Sequence, residues 1–256
     1  MNVVLPPLVD AHAHLGDPVF DADREAVLDR AREAGVAAVV LVGETLADAR
    51  RNLELAARHP MLRPCAGLYP TILDPDQASE VEALVCAERH RLVGIGEVGL
   101  DRWKVQDPAE LEVQRDIFTR FIELSKELDL PLNVHSRSAG HHAIALLLER
   151  GAKRVLLHAY DGKASKAMPA VEAGYFFSVP PSVVRSPQKQ KLLQHLPLSC
   201  LLLETDSPVL GPDPAERNEP SNVRVSLRAI AEIKNLAEQA VAEATSENAR
   251  RLFGLP

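Results

Sequence analysis

The segment Val9-Asp10-Ala11-His12-Ala13-His14-Leu15 is a short apolar strand that ends in two histidines one residue apart. Residues i and i+2 of an extended chain point to the same side, so both imidazoles can converge on one point beyond the strand. Convergent imidazoles are typical of a metal site, although a single His-x-His also occurs in ordinary loops. The segment therefore predicts a metal site if the rest of the chain supplies further ligands at comparable positions.

The composition is that of an ordinary globular protein. The chain has 256 residues, 46% hydrophobic and 25% charged, with a net charge of −7. This charge argues against binding duplex nucleic acid through a broad basic surface, but not against an enzyme whose positive charge resides on bound metal ions. The cysteines have no CxxC spacing and predict reduced, buried thiols in an intracellular protein: Cys65, Cys86 and Cys200.

The first seven residues lack the basic and long apolar parts of a signal peptide. No apolar run approaches the roughly 20 residues that a membrane helix needs. We therefore expect a cytoplasmic or nuclear protein that has no membrane association and needs no obligate protein partner.

Apolar strands alternate with amphipathic helices along most of the chain. The predicted strands cover approximately residues 9–15, 36–42, 63–68, 92–98, 132–135, 155–158, 175–179 and 200–204. The predicted helices cover approximately residues 21–34, 46–58, 79–89, 110–128, 141–149, 165–173 and 187–195, and two more lie within 223–253. Eight βα units predict an α/β fold, a (β/α)8 TIM barrel with extra C-terminal helices. A doubly wound open sheet is the alternative. Since no linker or repeat marks a boundary, we expect one domain over 1–256.

Polar residues follow the ends of the predicted strands, and in a barrel these ends open onto one face. They are His12, His14, Glu97, His135, His158 and Asp206. Six ligands are more than one tetrahedral zinc needs and suit two divalent ions that share a bridging carboxylate, for which Glu97 is the natural candidate. Singly, Glu97 could be a capping or surface carboxylate, and His135 or His158 could be a hydrogen-bonded core residue. As a group, they predict a hydrolase site.

Five segments resemble the successive signatures of TatD-type metal-dependent deoxyribonucleases. They are Asp10-Ala11-His12-Ala13-His14, Gly96-Glu97-Val98-Gly99-Leu100-Asp101, Asn133-Val134-His135-Ser136-Arg137, His158-Ala159-Tyr160-Asp161-Gly162 and Glu204-Thr205-Asp206-Ser207-Pro208. Further likeness to a vertebrate subgroup of the family lies at residues 134–140, 173–178 and 217–220. The resemblance extends over essentially the whole chain.

This resemblance implies a barrel of the metal-dependent hydrolase type that cleaves phosphodiester bonds of DNA, acting exonucleolytically from single-stranded 3′ ends. It implies the same six metal ligands, with Glu97 and Asp206 as catalytic residues and Asp206 as proton acceptor for the attacking water. Glu204 could support a ligand from behind, or could simply face the barrel.

Substrate contacts are expected from residues that follow the strands. Arg137 could bind a phosphate or form a salt bridge below the rim. Trp103 could stack on a base or merely cover the rim. Arg217 and Asn218, in a Pro-rich loop, could position the substrate backbone.

One segment departs from the family pattern. The family carries Gly-x-His-Pro after the third strand, whereas this chain has Gly67-Leu68-Tyr69-Pro70. Tyr69 can donate a hydrogen bond to a phosphate but has no positive charge near neutral pH. The change leaves the predicted metal ligands intact, and the family's substrate choice and rate cannot be carried over to this chain.

The cofactors are predicted to be two divalent metal ions per chain. Imidazole ligands favour zinc, iron or manganese, and magnesium is the weaker, exchangeable occupant. The predicted partner is DNA or another phosphodiester. Two alternatives remain open, since fold does not fix function: a hydrolase of a small ester, amide or phosphate, and a metal-stabilised binding scaffold with weak catalysis.

Overall fold

The computed structural model describes residues 5–255, in which eight parallel strands alternate with helices in chain order. The strands are β1 Leu8–Ala13, β2 Val36–Leu41, β3 Leu62–Ala66, β4 Gly94–Gly99, β5 Leu132–His135, β6 Val155–Leu157, β7 Phe176–Val179 and β8 Leu201–Leu203. The helices are α1 Arg24–Glu33, α2 Leu46–Arg58, α3 Pro75–Glu88, α4 Pro108–Leu128, α5 Gly140–Glu149, α6 Ala164–Glu172, α7 Pro187–His195, α8 Val223–Lys234 and α9 Glu238–Phe253.

The strand order runs from β1 to β8 without reversal. A doubly wound sheet reverses its order at a switch point, so that alternative is wrong and the predicted (β/α)8 barrel is confirmed. The two C-terminal helices are also present as α8 and α9. The assignment of one domain to 1–256 remains a prediction, and residues 1–4 and 256 lie outside the described part of the chain.

Some predicted boundaries are wrong at helix starts. Helix α3 begins at Pro75 and α4 at Pro108, because Asp74 and Asp107 cap them and proline is well suited to the first helical position. Cys86 is exposed and not buried as predicted, because α3 turns Val81 and Val85 to the core.

No helix within residues 5–255 combines the length and the apolar character required to cross a membrane.

Two separate apolar layers surround the strands. One lies between the barrel and its helices, and the other fills the barrel interior with side chains such as Val40, Phe176 and Leu202. Leu252 and Phe253 of α9 join the interior layer. This last helix therefore packs against the interior layer of the barrel.

The sheet register shifts within β1 and β4. In β1, Val9 and Ala11 belong to the interior layer, whereas Ala13 and Leu15 belong to the layer under the helices. The alternation therefore changes phase between Ala11 and His12, as a β-bulge produces. The bulge turns His12 and His14 toward the barrel axis.

One buried side chain and two backbone hydrogen bonds join the ends of β1 and β8. Asp10 accepts hydrogen bonds from the backbone N–H of Thr205 at 2.9 Å and from its hydroxyl at 2.6 Å. Beyond it, the backbone N–H of Asp206 donates to His12 at 2.8 Å and that of His14 donates to Ser207 at 2.8 Å. Burial raises the pKa of Asp10 to about 7 in spite of the Thr205 hydrogen bonds.

We expect Thr205→Val to lower the free energy of unfolding by about 1–3 kcal/mol, because it leaves a buried carboxyl oxygen without its hydroxyl donor. Urea unfolding of protein stripped of metal measures the change. Thr205→Ser keeps the hydroxyl and is expected to retain most of the stability. Equal losses in the two variants would show that the hydrogen bond to Asp10 does not hold the strands together.

Candidate metal centre and active-site cavity

The six side chains predicted as metal ligands converge at the carboxyl-terminal end of the barrel. His12 and His14 lie at the end of β1, Glu97 in β4, His135 at the end of β5, His158 directly after β6 and Asp206 after β8. All are buried except His14, which is partly exposed. Residues from five strands thus form one cluster.

The side-chain atoms that could coordinate a metal form two sets, which we call donor groups. The first donor group consists of His12, His14, Asp206 and one oxygen of Glu97. His12 Nε2 lies 3.2 Å from His14 Nε2 and 3.5 Å from Asp206 Oδ1. His14 Nε2 lies 3.4 Å from Asp206 Oδ1 and 3.4 Å from Glu97 Oε2. Donors held at about 2.0–2.1 Å around a tetrahedral divalent ion are about 3.4 Å apart, so this group fits one metal ion.

The second donor group consists of His135, His158 and the other oxygen of Glu97. Glu97 Oε1 lies 2.7 Å from His135 Nδ1 and 2.8 Å from His158 Nε2, and these two nitrogens are 3.4 Å apart. Three protein donors leave a position open, as in catalytic sites. Glu97 presents Oε2 to the first group and Oε1 to the second, which is the arrangement of a bridging carboxylate.

Close backbone packing sets the position of Glu97. A Cβ on Gly96 would lie 2.7 Å from Asn133 Cβ, so β4 and β5 approach closely only because this residue is glycine. The register shift in β4 falls between Ile95 and Val98 and therefore spans Glu97. Bulges beside active sites re-aim side chains. The two strands with irregular register are thus strands that carry donors.

Two residues fix the tautomers of the donor histidines. Asn133 Oδ1 lies 2.8 Å from His12 Nδ1, and its amide nitrogen donates to the Ala11 carbonyl at 2.9 Å, which sets the orientation of the amide. Asp101 Oδ2 lies 3.0 Å from His135 Nε2. Each acceptor holds a proton on the ring nitrogen that it faces, which is Nδ1 of His12 and Nε2 of His135. The other ring nitrogen of each histidine is then free to bind a metal.

Glu204 lies on the Nδ1 side of His158, away from the Nε2 atom that faces Glu97, and belongs to neither donor group. Its carboxylate accepts hydrogen bonds from the Ala159 N–H at 2.9 Å and the Ser178 hydroxyl at 2.6 Å, and lies 3.7 Å from His158 Nδ1. Burial raises the pKa of Glu204 to about 7. His12, His158 and Glu204 are also close enough to be considered a ligand set. Because both Glu204 oxygens are already hydrogen-bonded, a supporting role fits better.

The cluster concentrates buried negative charge. Burial opposes ionisation of Asp206, yet hydrogen bonds from His12 and His14 hold its pKa below the ordinary value. Burial also opposes protonation of His12, but Asp206 and Glu97 raise its pKa to about 10. His158 stacks on His12 with ring centroids 3.8 Å apart, and burial together with the His12 charge lowers its pKa to about 4. The site therefore attracts cations, whether protons or metal ions.

Asp206 has a φ of 56°, in the left-handed region that non-glycine residues rarely adopt. Such strain persists only where the surroundings enforce it, and it concentrates at functional sites. Here the backbone N–H of Asp206 is held by the His12 carbonyl.

A cavity of about 400 Å³ opens above the two donor groups. Arg137 and Tyr69 line it, as do Glu44, Asp161 and Lys189. The Arg137 guanidinium lies 3.7 Å from the ring centre of Trp103, which is 50% exposed at the mouth. The Tyr69 ring stands edge-on to His135 with centroids 5.0 Å apart. The predicted substrate residues Arg137, Tyr69 and Trp103 are thus placed at or near the cavity.

The structure does not bring Arg217 and Asn218 to the cavity. Arg217 pairs with Asp23 at 2.5 Å and lies 4.6 Å from the ring centre of Phe20. The Asn218 amide is buried and donates at 2.7 Å to the carbonyls of Thr205 and Val209. Both residues anchor the loop after β8 and neither lines the cavity, and their predicted contact with the substrate stays untested.

Sequence reasoning missed the supporting roles of Asn133 and Asp101 and the presence of Lys189. Asn133 precedes His135 by two residues, so strand alternation was a usable signal for it. Asp101 follows the end of β4 by two residues, and outside a strand the alternation of side chains does not predict the direction of a side chain. Lys189 lies on α7 and follows no strand, so no local pattern pointed to it.

We expect Asp101→Asn to weaken metal binding at the second donor group by about 10–100-fold, because the amide can donate to His135 Nε2 and so favour the wrong tautomer. Oδ1 of Asp101 accepts from the Trp103 and Lys104 N–H groups, a contact that asparagine can keep. Metal titration with competing chelators measures the affinity. Unchanged affinity would contradict the proposed orientation of His135.

Comparison with known proteins agrees with this geometry. A model of the family described as TatD related DNase matches residues 9–254. Human deoxyribonuclease TATDN3 is 46% identical over 259 residues, which cover 96% of this chain and 94% of the human protein. YabD of Bacillus subtilis, an uncharacterized metal-dependent hydrolase, is 32% identical over 254 residues, covering 96% of this chain and 98% of YabD. The crystal structure of the TatD homologue YjjV from Escherichia coli matches with a TM-score of 0.90 and 27% identity, covering 99% and 100% of the two chains. The chain belongs to the TatD-related DNase family.

Proposed function

We propose that this protein is a deoxyribonuclease that hydrolyses phosphodiester bonds with two divalent ions bridged by Glu97. The observation that carries the proposal is the division of the Glu97 carboxylate, whose two oxygens face separate donor groups. Family membership supports a hydrolase that acts on ester bonds, and the acidic, imidazole-rich cluster supports its dependence on metal.

The two donor groups would each hold a divalent ion, which would supply Lewis acidity to make water a nucleophile near neutral pH and to stabilise charge on a phosphoryl oxygen. The residues of the chain supply position and proton transfer. Asp206 lines the cavity beside both donor groups, and its carboxylate is the proposed acceptor for the proton of the attacking water. Asn133 and Asp101 keep the donor nitrogens of His12 and His135 directed at the site.

The rim of the cavity supports contact with unpaired bases. Trp103 is about half exposed on the loop that follows β4, and its ring packs against Arg137 of the cavity wall. Bases of a frayed or single strand can stack on this indole ring without regard to sequence. Arg137, held over Trp103, is placed to contact a phosphate between two such bases.

The size of the cavity favours attack at strand ends. A space of about 400 Å³ is that of a small-molecule site, which a duplex does not enter. We therefore propose exonucleolytic action on single-stranded ends, with the 3′ direction taken from the family resemblance alone. Tyr69 supplies a neutral hydrogen-bond donor where the family pattern has a histidine, which can carry a positive charge. Phosphate binding therefore depends more on the cationic side chains of the cavity, Arg137 and Lys189.

The metal is proposed to be zinc or manganese in preference to magnesium, because four of the six ligands are imidazoles.

We also propose a reducing compartment, cytosol or nucleus, since Cys65, Cys86 and Cys200 are free thiols.

Metal-loaded protein is expected to shorten a 5′-labelled single-stranded oligonucleotide stepwise, and to do so faster than it shortens the same strand in a blunt duplex. Phosphorothioates at the 3′-terminal linkages should slow the reaction, whereas the same linkages at the 5′ end should not. Absence of cleavage by fully loaded protein would contradict the proposed function.

Asp206→Asn is expected to reduce cleavage by about 100-fold or more, because the proton acceptor and one anionic ligand are lost together. Asp213→Asn is the matched control, since Asp213 is an exposed carboxylate in the same loop region after β8. Rates are to be reported beside metal content by elemental analysis. Equal cleavage rates in Asp206→Asn and the wild type would show that the cleavage comes from a contaminating nuclease.

A further inference from the structure

Lys189 brings an ammonium group into the wall of the catalytic cavity. It lies in the first turn of α7, and its Nζ donates a hydrogen bond to the Ala159 carbonyl at 2.7 Å. Ala159 directly follows the donor residue His158. The residues that line the cavity include one lysine, Lys189, and one arginine, Arg137.

The ammonium of Lys189 has no ion-pair partner within residues 5–255. Glu204, Asp161 and Asp206 are the carboxylates close enough to attract it, and Arg185 repels it. The Glu204 oxygens accept from Ala159 and Ser178, and Asp161 Oδ2 accepts from the Ser138 N–H at 3.1 Å. Since an ammonium donates three hydrogen bonds and the Ala159 carbonyl takes one, donor capacity remains.

The position is unfavourable for a lysine on structural grounds alone. A cation in the first turn of a helix opposes the helix dipole, and burial lowers the pKa of the Lys189 amine. Lys191, two residues further along α7, is exposed to solvent and avoids the second of these costs. A partly desolvated cation that forms no direct ion pair is stabilised further when an anion enters beside it.

We propose that Lys189 binds an anionic oxygen of the phosphoryl group of the substrate and thereby selects phosphate esters over neutral esters and amides. The proposal rests on the proposed function and names the substrate feature that this cavity recognises. Arg137 is stacked on Trp103 near the mouth, whereas Lys189 sits beside the loop that carries His158. The two cations therefore contact different parts of a bound strand.

A neutral ester or amide gains little from this charge, because its carbonyl carries only partial negative charge before attack. A phosphodiester brings a full negative charge and offsets the cost of the unpaired ammonium. The carboxylates Glu44 and Asp161 also line the cavity and repel a phosphate, and a cation beside the phosphate offsets part of this repulsion.

The test is calorimetric binding of inorganic phosphate to the metal-loaded protein, which needs no turnover. Lys189→Gln removes the charge and retains a donor for the Ala159 carbonyl, and we expect it to weaken phosphate binding about tenfold or more. Lys189→Arg should restore most of the affinity. Lys191→Gln, which removes a charge from the exposed side of the same helix, should leave it unchanged.

Hydrolysis of thymidine 5′-(p-nitrophenyl phosphate) and of p-nitrophenyl acetate by the same proteins tests the selectivity. The expected result is a rise in KM for the phosphodiester in Lys189→Gln with no change for the neutral ester. Equal phosphate affinity in wild type and Lys189→Gln overturns the proposal, as does loss of bound metal in Lys189→Gln, which would show that the residue supports the ligands. If phosphate binding depends on Lys189 but DNA is not cleaved, the proposed deoxyribonuclease function fails and the phosphate subsite stands.

Discussion

A buried carboxylate with histidines at both of its oxygens is the constraint around which the site is built. Glu97 is 1% exposed, and without cations its charge would destabilise the fold. Its Oε2 faces His14 at 3.4 Å and its Oε1 faces His135 at 2.7 Å. Protons on the histidines can balance this charge, and the proposed divalent ions would balance it with the spacing of ligand atoms that the structure already has. The cluster is thus prepared for metal by its electrostatics as well as by its geometry.

The barrel supplies the rigid frame that holds these donors. Interior packing and the α9 residues Leu252 and Phe253 fill one part of the barrel, while the Asp10 and Thr205 contact joins the last strand to the first near the donors. Several local departures from regular structure lie at the site: register shifts in β1 and β4, and a left-handed backbone at Asp206. Regular packing gives stability, and these irregular positions direct the donors.

The alternation of apolar strands and helices was sufficient to predict the barrel. The rule that strand ends share one face was sufficient to predict that these six side chains lie together, and their binding of metal stays a prediction. The bulge that turns His12 inward was not predictable, because it depends on how β1 pairs with β2. Arg217 and Asn218 were assigned to the substrate from their loop alone, and only the tertiary contacts to Asp23 and Thr205 show their anchoring role. Lys189 reaches the cavity from a helix, and a position of that kind has no signature in a single sequence.

The most direct test of the central claim is anomalous diffraction from crystals of the protein purified without chelator, recorded at the absorption edges of zinc and manganese. The account predicts two peaks about 3.5–4 Å apart on either side of the Glu97 carboxylate, and at most one peak in Glu97→Ala. A single peak in the wild type, or two peaks that persist unchanged in Glu97→Ala, would contradict a metal pair bridged by Glu97.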